Sequence, residues 1–177
     1  EPFLRRFAAQ IKLDGRLNAH LTLREGDGQA GSPEARLEGS VFVAALAVSD
    51  PLLGPDILRL ARVEASCRLA LQDKRLLIEQ AEIQSDVGKV SLAGTVDLAN
   101  NPREMLYQPG QRVDAQVDLA RLAGLAPHTL HLTKDTQIAS GTLSLHVRSS
   151  LRADSVLWEG DLRTSDLQGT YQGQRLT

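Results

Sequence analysis

The chain has 177 residues, a formal net charge of -2, and both signs of charge interspersed along it. This length is sufficient for one domain with a core of its own, and the charge balance argues against a nucleic-acid surface or a polybasic membrane patch. Aromatic residues make up only 3% of the chain, and the single cysteine excludes an intrachain disulfide framework and a cysteine-based zinc cluster.

Apolar and polar residues alternate along most of the chain, which is the pattern of β-strands with one apolar face. The first run, Ile11–Arg24, predicts one long strand with a bulge at Gly15. After a glycine-rich loop, the alternation returns in Glu34–Val48 and predicts a second strand. Pro51–Leu60 is typical of a loop with a short helical turn that starts near Pro55.

The alternation of apolar and polar residues is clearest in Arg62–Ala99, which we interpret as a series of consecutive strands. Two short segments lie between these strands, where hairpin turns are expected: Gln72-Asp73-Lys74 and Asp86-Val87-Gly88. We therefore expect a run of long antiparallel strands with one apolar side.

The second half of the chain continues this pattern and adds one helix. Asn100–Gly110 is a turn-rich connection, and Leu119–Leu125 has a helical spacing that Gly124 and Pro127 end. Further strands are expected at Val113–Leu119 and Ile138–Arg148, with a last hairpin of Ser155–Thr164 and Leu167–Gln174 around Ser165-Asp166.

These patterns predict one mostly β domain over residues 1–177. We expect long antiparallel strands in a meander that form a curved, taco-like sheet or groove, or alternatively a β-sandwich, with one or two short helices. No apolar run has the length of a membrane span, and the chain starts at Glu1 without methionine. We interpret it as a fragment of a larger protein, with any anchor or targeting segment outside it.

No catalytic constellation is visible in the sequence. His128 and His131, with Asp135 nearby, would share a metal only within a helical turn, and solvated loop histidines are the better interpretation. Asp114 and Asp118 would lie about 13 Å apart along a strand, farther than the roughly 5–9.5 Å between paired glycosidase carboxylates. We therefore expect no enzymatic activity, no metal and no cofactor.

The long strands supply more apolar surface than a few helical turns would cover. The sheet therefore either folds onto a second sheet as a sandwich, or curls into a trough that receives acyl chains or a neighbouring module. Small aliphatic side chains and few rings favour the trough. The candidate lining positions are Val63, Ala65, Cys67, Leu69, Leu71, Val90, Leu92, Val96, Leu98, Val113, Val117, Leu119, Leu143, Leu145 and Val147.

Two stretches share the order apolar-x-apolar, turn, x-Gly-x-apolar-x-apolar: IEQAEIQSDVGKVSLAGTVDLA from Ile78 and LHLTKDTQIASGTLSLHVRSS from Leu130. Glycines lie inside the expected strands at Gly94, Gly141 and Gly160. This residue pattern resembles the repeats of AsmA-like and TamB-like envelope proteins.

The resemblance implies a periplasmic module of the bacterial cell envelope that takes part in outer-membrane biogenesis. Its hydrophobic groove would carry phospholipid or another acyl-chain ligand between membranes without performing chemistry. The implied partners are that lipid and neighbouring modules of the parent chain, with membrane contact through segments outside this chain and no nucleic acid.

A rival hypothesis from another class is a structural or adhesive extracellular β-sandwich module that binds protein or sugar through its loops. Its free strand edges would then pair with sister modules. The two hypotheses differ in the expected effect of a charged substitution on the apolar face. In a packed sandwich core the charge would unfold the protein, whereas in a trough it would only abolish lipid retention.

Overall fold

The computed structural model describes residues 12–26, 32–98, 108–153 and 155–176. Within these residues, nine strands form one antiparallel sheet in which each strand lies beside its neighbours in sequence, and this sheet is curved and unclosed. The strands are β1 (Lys12–Glu25), β2 (Ala35–Ser49), β3 (Leu58–Gln72), β4 (Arg75–Ser85), β5 (Gly88–Asp97), β6 (Arg112–Asp118), β7 (Thr136–Arg152), β8 (Ser155–Tyr171) and β9 (Gln174–Leu176). A 3-10 helix spans Pro51–Leu53, and helix α1 spans Leu119–Leu125.

The predicted meander of long antiparallel strands is confirmed. β1 has 14 residues and β2 has 15, so the first alternating run is indeed a single strand. The turn between β3 and β4 is a two-residue turn in which Asp73 and Lys74 both have positive φ, 49° and 62°. This is the geometry of a type I′ turn, whose twist matches that of the flanking strands.

The predicted hairpin around Ser165-Asp166 is wrong. β8 continues through this site as one strand of 17 residues, and β7, also of 17 residues, pairs with both of its halves. Thr142 pairs with Ser165 and Ser140 with Gln168, so β8 carries one extra residue there. A bulge with positive φ at Asp166 therefore produces the turn-like sequence signal.

Two other connections also differ from prediction or are only partly described. The helical turn expected near Pro55 lies earlier, at Pro51–Leu53, because proline favours the first position of a helical turn. Of the connection predicted at Asn100–Gly110, residues 100–107 lie outside the described part of the chain.

Helix α1 has the predicted range, and its cap explains where it starts. The Asp118 carboxylate accepts a hydrogen bond from the Arg121 backbone N–H at 3.0 Å, which satisfies one of the free amides of the first turn. Pro127 follows the last turn, whose end is closed by a bond from the Ala126 N–H to the Leu122 carbonyl.

The core is small for the amount of sheet. Among the described residues, the buried apolar side chains are few and mostly small, and no large side chain is fully buried. Those described strands also belong to one sheet, so they do not form the sandwich that was the alternative prediction. The buried apolar residues are Ala70, Ile78, Val96, Ala123 and Ala126.

Two isoleucines of β4 provide a test of where the core lies. Ile78 is 7% exposed and Ile83 is 53% exposed. Removing one methylene from the packed residue, Ile78→Val, should lower the free energy of unfolding by about 1 kcal/mol. The matched change Ile83→Val should cost less than about 0.5 kcal/mol, because its side chain is largely in solvent. Urea denaturation measures both, and equal losses would contradict this assignment of the core.

Candidate functional site: the apolar face of the sheet

The strand register gathers the aliphatic side chains on one side of the sheet, which we call the apolar face. One row of cross-strand neighbours crosses eight strands without a polar residue. The central row is Ala19, Val41, Ala65, Ile83, Val90, Ala115, Leu145 and Leu162.

A second row runs beside the first, two residues away along each regular strand. It also reaches both edges without a charged or hydrogen-bonding side chain other than the Cys67 thiol, which is free. The second row is Leu21, Gly39, Cys67, Ala81, Leu92, Val113, Val147 and Gly160. At about 4.8 Å per strand, each row measures on the order of 34 Å along the sheet.

Thirteen of the predicted lining positions lie on strands β3, β5, β6 and β7 and share this face. The other two predicted positions lie outside these strands. Leu98 lies in a turn just beyond β5 and is largely exposed, and Leu119 is the first residue of α1. The alternation of the strand ends before each of these positions, so neither belongs to a strand row.

The predicted lining positions omit β1, β2, β4 and β8, which also contribute to the apolar face. In β4 the aliphatic residues Ile78, Ala81 and Ile83 have irregular spacing, so no strict alternation marks them. A bulge makes up the difference, because Leu69 pairs with Ile78 while Arg68 pairs with Gln80. The bulge restores the orientation of the strand, and both sides of it contribute to one face.

The central row is open to solvent in the middle and at the edges of the sheet. Val90 is 41% exposed and Leu162 is 63% exposed, although both are large aliphatic residues. Ala19 at the opposite edge is exposed as well. Val41, Ala65, Ala115 and Leu145 of the same row are half-buried. Large exposed apolar patches on folded proteins are commonly binding surfaces.

Near β5 and β6, one part of the apolar face is covered by buried polar groups. The Gln111 side chain lies over Gly94 and donates to the Thr95 carbonyl at 2.6 Å, while its backbone N–H donates to the Ser149 hydroxyl at 2.9 Å. A Cβ at Gly94 would overlap the Gln111 side chain, and its φ of 154° disfavours other residues. Val96 beside this site is buried.

The connection between β6 and β7 bridges several strands at the other end of the sheet, and we call residues 119–132 the end strap. Arg121 donates from its guanidinium to the Asp86 carbonyl in the β4–β5 turn at 3.1 Å. Farther along, Thr129 donates from its backbone N–H and its hydroxyl to the Asp56 carboxylate, at 2.7 and 2.8 Å. The strap therefore ties β6 and β7 to the loop between β2 and β3.

The Asp56 carboxylate is ionised when it accepts these two hydrogen bonds from Thr129. Burial by itself would raise the pKa of Asp56, but the backbone and side-chain hydrogen bonds from Thr129 outweigh it and hold the pKa below its ordinary value of 3.8. A carboxylate that accepts two hydrogen bonds within the protein is a positioned structural group.

The opposite, polar face carries a small ionic network. Asp114 accepts from the Arg112 guanidinium and lies next to the His146 Nδ1, each at 2.7 Å. The hydrogen bond from His146 is the main cause, and together with the hydrogen bond from Arg112 it holds the pKa of Asp114 below its ordinary value of 3.8. A shallow cavity of about 450 Å³ over this network contains charged side chains but no hydroxyl or thiol among its lining residues.

The candidate metal ligands of the sequence, His128, His131 and Asp135, lie in the end strap or just after it. The His131 ring contacts the His128 backbone carbonyl through Nδ1 at 3.0 Å. Among the residues that the structure describes, no three His, Cys, Asp or Glu side chains come together as metal binding would require. Among all described residues, no helix has the length and apolar character needed to span a membrane.

The strap can be tested through one amide. Asp56→Ala removes the acceptor of the Thr129 N–H, so that amide should lose most of its protection against hydrogen exchange, because it then depends on solvent. Asp135→Ala, a change of an exposed carboxylate just beyond the strap, is the control and should leave the amide protected. Hydrogen exchange followed by NMR gives the answer, and equal protection in both variants would contradict the proposed tie.

The ionic network predicts a defined pH dependence. The pKa of Asp114 is lower in the folded chain than in the unfolded chain, so its ion pair stabilises the fold above about pH 3.8. That contribution is lost as the pH falls through the lowered folded value. Asp114→Asn should therefore reduce stability near neutral pH and flatten this part of the acid limb in denaturation curves. An unchanged acid limb would show that the network contributes nothing measurable.

No protein-family model, curated protein or solved structure matches this chain. The resemblance to AsmA-like and TamB-like repeats therefore stays a prediction. Function has to be inferred from the geometry of the apolar face and the chemistry of its side chains.

Proposed function

We propose that this chain is a non-catalytic module of the bacterial cell envelope whose apolar face binds or conducts lipid acyl chains between membranes. The observation that carries the proposal is the pair of rows without a charged side chain, each crossing eight strands. The periplasmic location and the anchoring of the parent protein rest on the repeat resemblance alone.

The chemistry of the rows suits a flexible hydrocarbon better than a ligand with fixed polar groups. Each methylene of an acyl chain that leaves water for an apolar surface contributes about 0.8 kcal/mol. A chain that contacts either row with ten methylenes would gain on the order of 8 kcal/mol before the cost of ordering it. No specific polar contact is needed for binding of that kind.

The sizes of the side chains also support this proposal. In the central row, the small residues Ala19, Ala65 and Ala115 alternate irregularly with larger ones, so the surface has shallow depressions rather than a flat layer. Rings are scarce in the chain as a whole, at 3%. A surface of short aliphatic side chains adapts to acyl chains of different length and saturation.

The first test is native mass spectrometry of the purified chain, followed by organic extraction and lipid analysis. We expect phospholipid to co-purify in stoichiometric amount, or to be taken up from vesicles of phosphatidylethanolamine and phosphatidylglycerol. A chain that is free of lipid and takes up no fluorescent phospholipid would overturn the proposal. The structural or adhesive module would then be the leading interpretation.

Charged substitutions provide the second test. Ile83 and Val90 are cross-strand neighbours in the exposed part of the central row. Ile83→Asp with Val90→Asp should lower lipid uptake at least tenfold, because acyl chains would contact two carboxylates. The cost in stability should stay small because both positions are solvent-exposed.

Leu77→Asp is the matched control. Leu77 belongs to the same strand, is 38% exposed and has the opposite orientation, as its pairing with Ala70 and Thr95 shows. This variant should bind lipid as the unchanged chain does. Equal loss of lipid in the control and in the double variant would mean that general destabilisation, not the apolar face, controls binding.

A further inference from the structure

A cavity lies between the end strap and the start of β7, and we call it the strap cavity. Its volume is about 500 Å³, which is within the range of small-molecule sites in proteins. Helix α1 contributes Ala120 and Ala123 to the lining, and β7 contributes Ile138. Between them, the Leu132 N–H donates to the Pro127 carbonyl at 2.8 Å, so hydrogen-bonded backbone forms this part of the wall as well.

The lining of the strap cavity is apolar where it is buried and polar where it is exposed. Ala123 is buried, and Ala120, Leu132 and Ile138 are half-buried. Lys134, between the strap and β7, is exposed. Sites with this division, mostly apolar with a few polar groups that fix orientation, are typical of small-molecule binding.

The charge at the strap cavity has one sign. Lys134 contributes an ammonium group, and no Asp or Glu is among the described residues that line the cavity. The Lys134 side chain also belongs to none of the ion pairs between described residues. His128 lines the cavity too, and its exposed ring can donate a hydrogen bond in either tautomer. The polar part of the cavity is therefore suited to an anion.

We propose that the strap cavity binds a fatty acid, with the carboxylate next to the Lys134 ammonium and the hydrocarbon chain against the alanines of α1, Leu132 and Ile138. The carboxylate would accept a charge-assisted hydrogen bond from Lys134. Each methylene that leaves water for the apolar lining would add to the affinity. This site is separate from the apolar face of the sheet, and the proposal does not depend on lipid binding there.

Gly124 allows the cavity to be filled without removing any contact of the fold. It lines the cavity, and a Cβ at this position would have no atom within 4 Å. Gly124→Leu should therefore occupy the space meant for the hydrocarbon chain and lower the affinity for dodecanoate about tenfold or more. Because glycine is a poor helix former, the change should not destabilise α1.

The test is a titration of the full chain with dodecanoate and with dodecanol, each kept below the concentration at which it aggregates, followed in amide NMR spectra. Dodecanoate should shift the amide signals of Leu132, Thr136 and Ile138. It should bind about two- to fivefold more tightly than dodecanol, as expected for one exposed ion pair. Lys134→Gln should remove this difference. Lys74→Gln, the same change in the turn between β3 and β4, is the matched control and should preserve it.

The double variant Ile83→Asp with Val90→Asp separates this site from the apolar face. It should bind dodecanoate as the unchanged chain does, whatever its effect on phospholipid uptake. A loss of dodecanoate binding in this variant would place the ligand on the apolar face and overturn the proposal. Unshifted signals from the lining residues, equal affinity for dodecanoate and dodecanol, or unchanged binding in a Gly124→Leu variant that circular dichroism shows to be folded would overturn it as well.

Discussion

Pairing between neighbouring strands, in a register that keeps the two apolar rows on one face, is the constraint on which this structure depends. In the described part of the chain, the sheet has little core beneath it and few buried apolar residues. Backbone hydrogen bonds and cross-strand side-chain contacts therefore carry much of the stability. If one strand shifted by one residue against its neighbour, its apolar side chains would turn toward the polar face. A bulge is therefore needed where the sequence interrupts the alternation of apolar and polar residues.

The bulge in β4 illustrates this dependence. Ile78 and Ala81 are three residues apart, which in a regular strand would place them on opposite faces. The extra residue lets Ile78 pair with Leu69 and Ala81 with Cys67, and both then contribute to the apolar face. The surface proposed to hold acyl chains is continuous because this irregularity compensates for the sequence.

Much of the fold could be predicted from the sequence because a period of two is a local signal. The long first strand, the turn at Asp73-Lys74 and the helix Leu119–Leu125 all follow from residues close together in the chain. The misplaced hairpin at Ser165-Asp166 shows the limit of that signal. A bulge and a turn share the same residue types, and only the length of the partner strand β7 distinguishes them.

The candidate site was only partly predictable for the same reason. The alternation of apolar and polar residues placed the predicted positions of β3, β5, β6 and β7 on the apolar face, but it did not show which other strands extend the rows. The edge residues Leu17 and Leu162 belong to the same surface only through the order of strands, which no local pattern fixes. The bond between Asp56 and Thr129 joins residues 73 apart in sequence, and neither residue type predicts the other.

The strap also has a mechanical consequence. Every strand of the meander pairs only with its neighbours in sequence, so the sheet resembles a chain of independent hairpins that form and open one after another. The bonds from Thr129 to Asp56 cross β4 and β5 and enclose the strands from β3 to β6 in one loop. Under tension applied at its two ends, the protein would lose its outer strands first, β1 at one end and β9 followed by β8 at the other. The strapped strands would hold together as the last unit to unfold.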